Sequence, residues 1–229
     1  GKFQPVSWSE AFEKIKTVIS ETSAKKIGAI AGDLVSIEEM YALKLLLLSL
    51  GSKAFDCRQR GMILSPELGR SSYIFNPTIA GIERADAILI VGSNPRAEAA
   101  VLNARILKHQ RVGRIPIALI GEQVDLRYPY SYLGAGTDAL GKLISGEDAF
   151  FDILKKAERP LILIGEGAIS GKEGLSVLKS LAKLADLVGA LNEEWNGFGI
   201  LHTAASTVGG LDIGFTYKLG VENIIKTCE

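Results

Sequence analysis

The hydrophobic pattern at the start of the chain predicts an amphipathic helix. Ser7 is followed three residues later by Glu10, which is the spacing of a helical capping box. Apolar residues then recur at Phe12, Ile15 and Val18, and the helical period places them on one face. We therefore expect a first helix that begins next to Ser7.

Several short apolar runs further along the chain lack the alternation of a half-exposed strand. They lie at residues 27–32, 54–57, 87–91, 115–120 and 160–165. Helical patterns accompany them at residues 36–51, 97–110 and 172–188. Buried strands that alternate with long helices are typical of parallel sheets with helices on both faces. The pattern thus predicts a doubly wound α/β fold with mainly parallel sheets.

The apolar runs fall into two groups, and we place a domain boundary between them near Gly146. Residues 1–146 would form a first Rossmann-like α/β region, and residues 147–229 a second α/β region. The stretch 122–137 within the first region shows no regular period and is predicted to be irregular. The chain begins with Gly1 rather than methionine, so we expect a piece of a longer protein. Separately, we expect the second region to be cut short at its C-terminal end.

Composition excludes several classes of function. The chain carries 26 basic and 26 acidic residues, so no net field would attract nucleic acid. The most apolar stretch, residues 41–50, is about half the length that spans a bilayer, which argues against direct membrane insertion. Cys57 and Cys228 form no C-x-x-C pair, so we expect two free thiols rather than a disulfide, a zinc site or a cluster.

Ligands in open α/β sheets bind beyond the carboxyl ends of the strands. The loops of interest therefore begin at Gly32, Gly92, Gly121 and Gly165. None of them carries the G-x-G-x-x-G pattern of dinucleotide-binding turns, and the chain contains no P-loop sequence. The short G-x-G at Gly165 is common in tight strand-to-helix turns. The sequence weakens the case for a dinucleotide or nucleoside triphosphate site.

The best-formed of these loops follows the run at 87–91. Asn94 is expected to cap a helix, Pro95 suits its first position, and Glu98 lies favourably near its start. Arg96 is unusual there, because a cation at a helix N-terminus opposes the helix dipole unless an anion lies nearby. Three interpretations stay open: a solvated pair with Glu98, a contact to a partner subunit, or a contact to a nucleotide.

No residue is predicted to be catalytic or to bind a metal. His109 and His202 have no second ligand close in sequence, so structural roles are favoured. The adjacent acidic pairs 38–39 and 193–194 would point in different directions on a helix. The chain also lacks a nucleophile motif of the G-x-S-x-G type.

Longer motifs resemble a known superfamily. Residues 33–41 resemble the loop and E-E-x-Y helix of the molybdopterin oxidoreductases, and residues 85–95 resemble their strand and G-x-N-P turn. Residues 73–83, 94–106 and 118–128 resemble the large iron–sulfur subunit of NADH:quinone oxidoreductase, which is respiratory complex I. The likeness continues through residues 158–165, 196–206 and 209–215, so it covers nearly the whole chain.

Two departures from the catalytic members of the superfamily stand out. Those enzymes supply a serine, cysteine or selenocysteine metal ligand in the region of Gly61 and Met62, whereas Cys57 and Ser65 are out of register with that position. They also carry an Asp-Pro-Arg segment after the next strand, where this chain has Gly-Glu-Gln-Val-Asp following Ile120.

The resemblance implies a redox-inactive structural domain of the large iron–sulfur subunit. It would support the peripheral arm of complex I, which carries electrons from NADH to quinone at the cytoplasmic side of the bacterial inner membrane. Its partners would be other peripheral-arm subunits and the N-terminal iron–sulfur part of its own subunit, whose clusters bind through residues outside this chain. No cofactor is expected within the chain, and Gly92, Ser93, Asn94 and Arg96 are candidates for a remnant of the cofactor-binding turn. The alternative is a nucleotide- or molybdopterin-binding oxidoreductase domain.

Overall fold

A computed structural model describes residues 2–58, 61–218 and 220–228. The strands are β1 (Gly28–Ile30), β2 (Ala54–Asp56), β3 (Ala87–Val91), β4 (Ile117–Ile120), β5 (Ser131–Gly134), β6 (Pro160–Gly165) and β7 (Phe198–Leu201). The α-helices are α1 (Trp8–Glu21), α2 (Ile37–Ser49), α3 (Pro95–Glu98), α4 (Ala100–Gly113), α5 (Thr137–Ser145), α6 (Phe150–Lys156), α7 (Glu166–Ile169), α8 (Gly174–Leu187), α9 (Thr207–Asp212) and α10 (Val221–Cys228). Short 3-10 helices lie at Ala24–Lys26, Pro66–Leu68, Arg70–Ser72 and Ala80–Arg84.

The larger sheet has five strands in the order β5-β4-β3-β6-β7, and every neighbouring pair is parallel. Alternate side chains of β3 point to opposite faces, as the strand period requires. Leu89 lies in the same buried cluster as Leu181 of α8, and Ile88 lies in a second cluster with Ile106 of α4. Helices therefore cover both faces, and the predicted doubly wound α/β fold is confirmed.

The sheet does not divide where we placed the domain boundary. β3 lies before Gly146 and β6 after it, yet the two strands pair along their whole length, from Ala87 with Pro160 to Val91 with Ile164. The reason is that α5 and α6 carry the chain back across one face of the sheet, so β6 adds to the free edge of β3. The two predicted regions thus share one sheet.

Three local features differ from the sequence expectations. β5 forms within the stretch predicted to be irregular, and β7 lies in a glycine-rich stretch without a clear strand pattern. Gly199 of β7 permits a close approach, since a Cβ there would lie 2.8 Å from the ring of Phe75. The single helix predicted at 97–110 is two helices, because Ala99 leaves the helical conformation at φ −144° and ψ 60°.

The first part of the chain forms a smaller unit around the parallel pair β1-β2. Met40 and Leu47 of α2 pack there with Phe55, whose ring lies 5.0 Å from that of Phe215. By contrast, α1 buries none of its side chains. Within the described residues, no helix combines the length and apolar character needed to cross a bilayer.

Candidate functional site

The candidate site is the crevice beyond the carboxyl ends of β3 and β6, which are neighbouring parallel strands. Beyond β3 the chain passes to α4 on one face of the sheet, and beyond β6 it passes to α8 on the other. Counted from β3, the strand order is 3-2-1-4-5, which is that of a nucleotide-binding α/β sheet. Ligands of such sheets bind at this switch point.

The two turns at the switch point pack directly on each other. Gly92 has φ +62°, and a Cβ there would lie 2.4 Å from the backbone nitrogen of Ala168. A Cβ on Gly165 would lie 2.4 Å from the carbonyl oxygen of Gly92, and one on Gly167 would lie 2.7 Å from the same oxygen. The space that a side chain would need at these glycines is therefore taken by neighbouring backbone.

Ser93 and Asn94 form the start of α3. The Ser93 hydroxyl donates to a carboxylate oxygen of Glu98 at 2.5 Å. Asn94 lies at the predicted N-cap position of α3, and its backbone carbonyl accepts from Ala97 and Glu98, but its side chain makes no capping hydrogen bond. The Asn94 Oδ1 atom is buried and has no hydrogen-bond partner among the described residues.

Arg96 pairs with Asp125 and not with Glu98. Its Nη1 donates to the Asp125 carbonyl at 2.9 Å and to the Asp125 carboxylate at 2.8 Å. The pKa of Asp125 is lowered chiefly because the backbone N–H of Arg127 donates to it, and also by the charges of Arg127 and Arg96. Of the three interpretations of Arg96, the pair with Glu98 does not form: Glu98 accepts from the Ser93 hydroxyl, and Arg96 contacts Asp125 of the same chain.

A cleft of about 320 Å³ adjoins the two turns. Its apolar wall consists of Val91, Ile120, Leu140 and Val177. Glu173 is the one charged residue among its described lining residues. A cleft that offers a carboxylate and no cation is poorly suited to a phosphate-bearing ligand.

A buried ion pair lies at the end of β2. Asp56 is fully buried and Arg58 nearly so, and the two side chains are joined by several hydrogen bonds. Arg58 also donates to the carbonyls of Leu64 at 2.9 Å and Tyr217 at 2.6 Å. The backbone N–H of Tyr217 in turn donates to Asp56 at 3.0 Å. The pair thus fastens β2 to two separate loops.

A molybdopterin oxidoreductase family model matches residues 1–228. The chain belongs to the molybdopterin oxidoreductase family. It is 38% identical over 224 residues to the NADH-quinone oxidoreductase subunit designated G from Rickettsia prowazekii (strain Madrid E), a match that covers 98% of the chain. It is 39% identical over 220 residues to the protein of the same name from Rickettsia bellii (strain RML369-C), covering 96% of the chain. The chain spans 33% and 32% of the lengths of these two relatives.

Near the position where catalytic members of this family are expected to carry a metal ligand, the described side chains of Cys57 and Met62 are buried. Met62 is buried and forms a backbone bridge to Ser170. Cys57 is buried beside Gly210, where a Cβ would lie 2.5 Å from its sulfur, and burial raises the pKa of its thiol to about 12. Burial therefore disfavours the thiolate form of Cys57, which is the form that binds metals.

Ser65, the other nearby candidate, accepts a hydrogen bond from the backbone of Glu67 at 3.4 Å. In the described parts of the chain, no three His, Cys, Asp or Glu residues form a group that could hold a metal ion.

Both histidines make structural contacts, as the sequence predicted. His109 Nε2 lies 2.6 Å from the carbonyl of Ala85, and His202 Nε2 lies 2.5 Å from the carbonyl of Tyr73. Because a carbonyl only accepts, Nε2 of His202 carries the hydrogen, and its buried Nδ1 has no partner in the part of the chain that the structure describes. Burial lowers the pKa of His202. The sequence predicted a structural role for His202 but not its hydrogen-bond partner.

Proposed function

We propose that this chain is a redox-inactive structural part of the large iron–sulfur subunit of NADH:quinone oxidoreductase. In this proposal it supports the peripheral arm, which carries electrons from NADH to quinone on the cytoplasmic side of the bacterial inner membrane. Its partners are other subunits of that arm and the cluster-binding part of its own subunit. The Rickettsia relatives and their nearly full coverage of the chain support the assignment.

The main support for a redox-inactive role comes from the side chains that lie beyond the end of β2. Among the described residues, a protonated thiol at Cys57, a thioether at Met62 and the carboxylates of Asp33 and Glu166 line the small pocket there. The Glu166 carboxylate accepts hydrogen bonds from the backbone N–H and the hydroxyl of Thr203, and the nearby carboxylate of Asp56 is bound by Arg58. These side chains form no group of three His, Cys, Asp or Glu residues that could hold a metal ion.

The crevice also does not fit a pterin dinucleotide. The glycine turns after β3 and β6 fill each other's space, and both Ser93 and Arg96 are engaged by carboxylates of the same chain. Iron–sulfur clusters in turn need several cysteine thiolates, and the chain has only Cys57 and Cys228. In the proposal, the clusters of the subunit therefore bind through residues outside this chain.

Metal analysis of the purified chain tests the redox-inactive role. The chain is expressed in medium that contains molybdate, tungstate and iron salts, and its metal content is measured per mole of protein. We expect far less than one equivalent of molybdenum, tungsten and iron. One equivalent of molybdenum or tungsten would overturn the proposal.

A nucleotide-binding role is the second candidate, and the strand order of the large sheet favours it. Thermal-shift measurements with guanine and adenine nucleotides separate the two roles. A ligand at a hundred times its dissociation constant stabilises the folded state by about 2.7 kcal/mol. We expect no shift, and a saturable shift with one nucleotide would establish the second candidate instead.

A further inference from the structure

The apolar side chains of α1 form one continuous stripe, made of Trp8, Phe12, Ile15 and Val18. Their spacing places them on one face of the helix. Their exposed fractions are 79%, 60%, 52% and 48%, and the ring of Trp8 stacks on that of Phe12 at 5.7 Å. This set of side chains, the α1 stripe, faces solvent along its whole length.

Helix α8 provides a matched comparison within the same chain. Both α1 and α8 have 14 residues, and both carry apolar residues at helical spacing. Leu178, Leu181 and Leu184 of α8 are buried against the large sheet, while α1 buries no residue. The apolar face of α8 is thus packed against the sheet, whereas the apolar face of α1 is exposed.

A bare helix of this length is only marginally stable in water, because most helical stability in proteins comes from packing of the apolar face. The capping box helps at one end: the backbone N–H of Ser7 donates to Glu10 at 2.8 Å, and the N–H of Glu10 donates to the Ser7 hydroxyl at 3.3 Å. A cap satisfies backbone groups but covers no apolar surface. The α1 stripe therefore has the character of one half of an interface.

We propose that the α1 stripe docks against the part of a longer polypeptide that lies outside this chain. The Rickettsia relatives supply the argument for this occupant, since this chain corresponds to 33% of the Rickettsia prowazekii protein and 34% of the Rickettsia felis protein. The remaining two thirds would be tethered to the chain. The inference rests on the proposed function and specifies one of its contacts.

The size of the stripe favours a tethered occupant over a second copy of the chain. A helix of 14 residues is about 21 Å long and about 10 Å wide, so one face offers on the order of 200 Å². A stable complex of separate molecules buries about 800 Å² on each partner. A tethered segment needs less area, because its effective concentration is already high.

Helix α2 also exposes apolar side chains on one of its faces. Met40 and Leu47 pack on the small sheet, while Tyr41, Leu45 and Leu48 are exposed at 51%, 50% and 42%. Helices that are apolar on all sides are typical of positions covered on both faces. The first part of the chain thus has a second apolar face open to solvent.

Hydrogen exchange of the α1 backbone amides tests the docking. It is measured in this chain alone and in the full polypeptide of its own reading frame. Two matched variants of each are compared: Ile15→Lys on the stripe and Thr17→Lys on the opposite face, where Thr17 is exposed. Both variants replace a β-branched residue of α1 with lysine, which matches the change in helix propensity.

We expect α1 amides to exchange at least tenfold more slowly in the full polypeptide than in the chain alone. Ile15→Lys should remove that protection and Thr17→Lys should retain it. Equal exchange in both proteins, or protection of the isolated chain that rises with its concentration, would overturn the proposal, the latter in favour of a second copy. Protection that appears only when another subunit is added would also overturn it.

Assembly of the full polypeptide with the other subunits separates this inference from the proposed function. If α1 is protected but the polypeptide does not assemble, the proposed function fails and the docking stands. If the polypeptide assembles while α1 exchanges freely, the docking fails and the proposed function stands.

Discussion

The carbonyl oxygen of Gly92 lies 2.4 Å from the position that a Cβ would take on Gly165. This contact joins the ends of the two central strands, at the point where a nucleotide-binding sheet of this topology opens a crevice. In this chain, the backbone of the turn after β3 occupies the space that a side chain at Gly165 would need. The glycines that resemble a ligand cradle in the sequence thus serve packing between β3 and β6.

Substitution of Gly92 by alanine should destabilise the fold strongly. The added Cβ would lie 2.4 Å from Ala168, and the φ of +62° disfavours any residue with a side chain. We expect a loss of at least about 2 kcal/mol in the free energy of unfolding, measured by urea denaturation. Gly141→Ala is the control, because Gly141 is in α5 with open space around it, and it should change stability by less than about 1 kcal/mol. Similar values for both variants would refute the packing role of Gly92.

Removal of one partner of the Asp56–Arg58 pair should strongly destabilise the folded chain. Arg58→Met leaves the carboxylate of Asp56 buried without its partner, which costs about 3–5 kcal/mol. Arg96→Ala provides the contrast, because Arg96 and Asp125 are both exposed and their pair is screened by solvent. In thermal melts, we expect a large loss for Arg58→Met and nearly no change for Arg96→Ala. A large loss for Arg96→Ala would show that this arginine holds the fold together.

Cysteine labelling checks the state of the thiol near the family's ligand position. With a pKa of about 12, Cys57 is a thiolate to the extent of about one part in ten thousand at pH 8. Cys228 is only half-buried and serves as an internal control. Iodoacetamide should label Cys228 in the folded chain and both cysteines in urea, as measured by mass spectrometry. Equal labelling rates in the folded chain would contradict a buried, neutral Cys57.

Stability should fall below neutral pH because of His202. Its pKa in the folded chain lies below the ordinary value of 6.5, so the unfolded chain takes up a proton first as the pH falls. The full contribution is present above about pH 6.5 and declines from there toward the folded-state pKa. His202→Gln removes the titration and should flatten the melting temperature between pH 5 and 8. Parallel pH profiles of the two proteins would rule out this role.

The sequence predicted the central strands and the doubly wound fold because those strands are continuous apolar runs, as in β3 and β6. It missed β5 and β7 for physical reasons. β5 is a half-exposed edge strand that begins with Ser131, and β7 contains Gly199, which lacks a side chain so that Phe75 can pack on it. Neither strand has a periodic pattern of its own.

For the turn after β3, the sequence predicted the place in the fold but not the contacts. The run 91–96 does lie at the switch point, and Pro95 does occupy the first turn of α3. The partner of Arg96 is Asp125, 29 positions later, and the glycine contacts join β3 to β6. Such pairings depend on how the strands are ordered in the sheet, which local spacing does not encode.

The pairing of β3 with β6 also affects how the chain can fold during its synthesis. β3 leaves the ribosome well before β6, with β4, β5, α5 and α6 made in between. Until β6 emerges, one edge of the most apolar strand has no neighbour, and contacts between distant segments form slowly. The nascent chain therefore spends that interval with an open strand edge, the kind of exposed apolar segment that favours aggregation during folding.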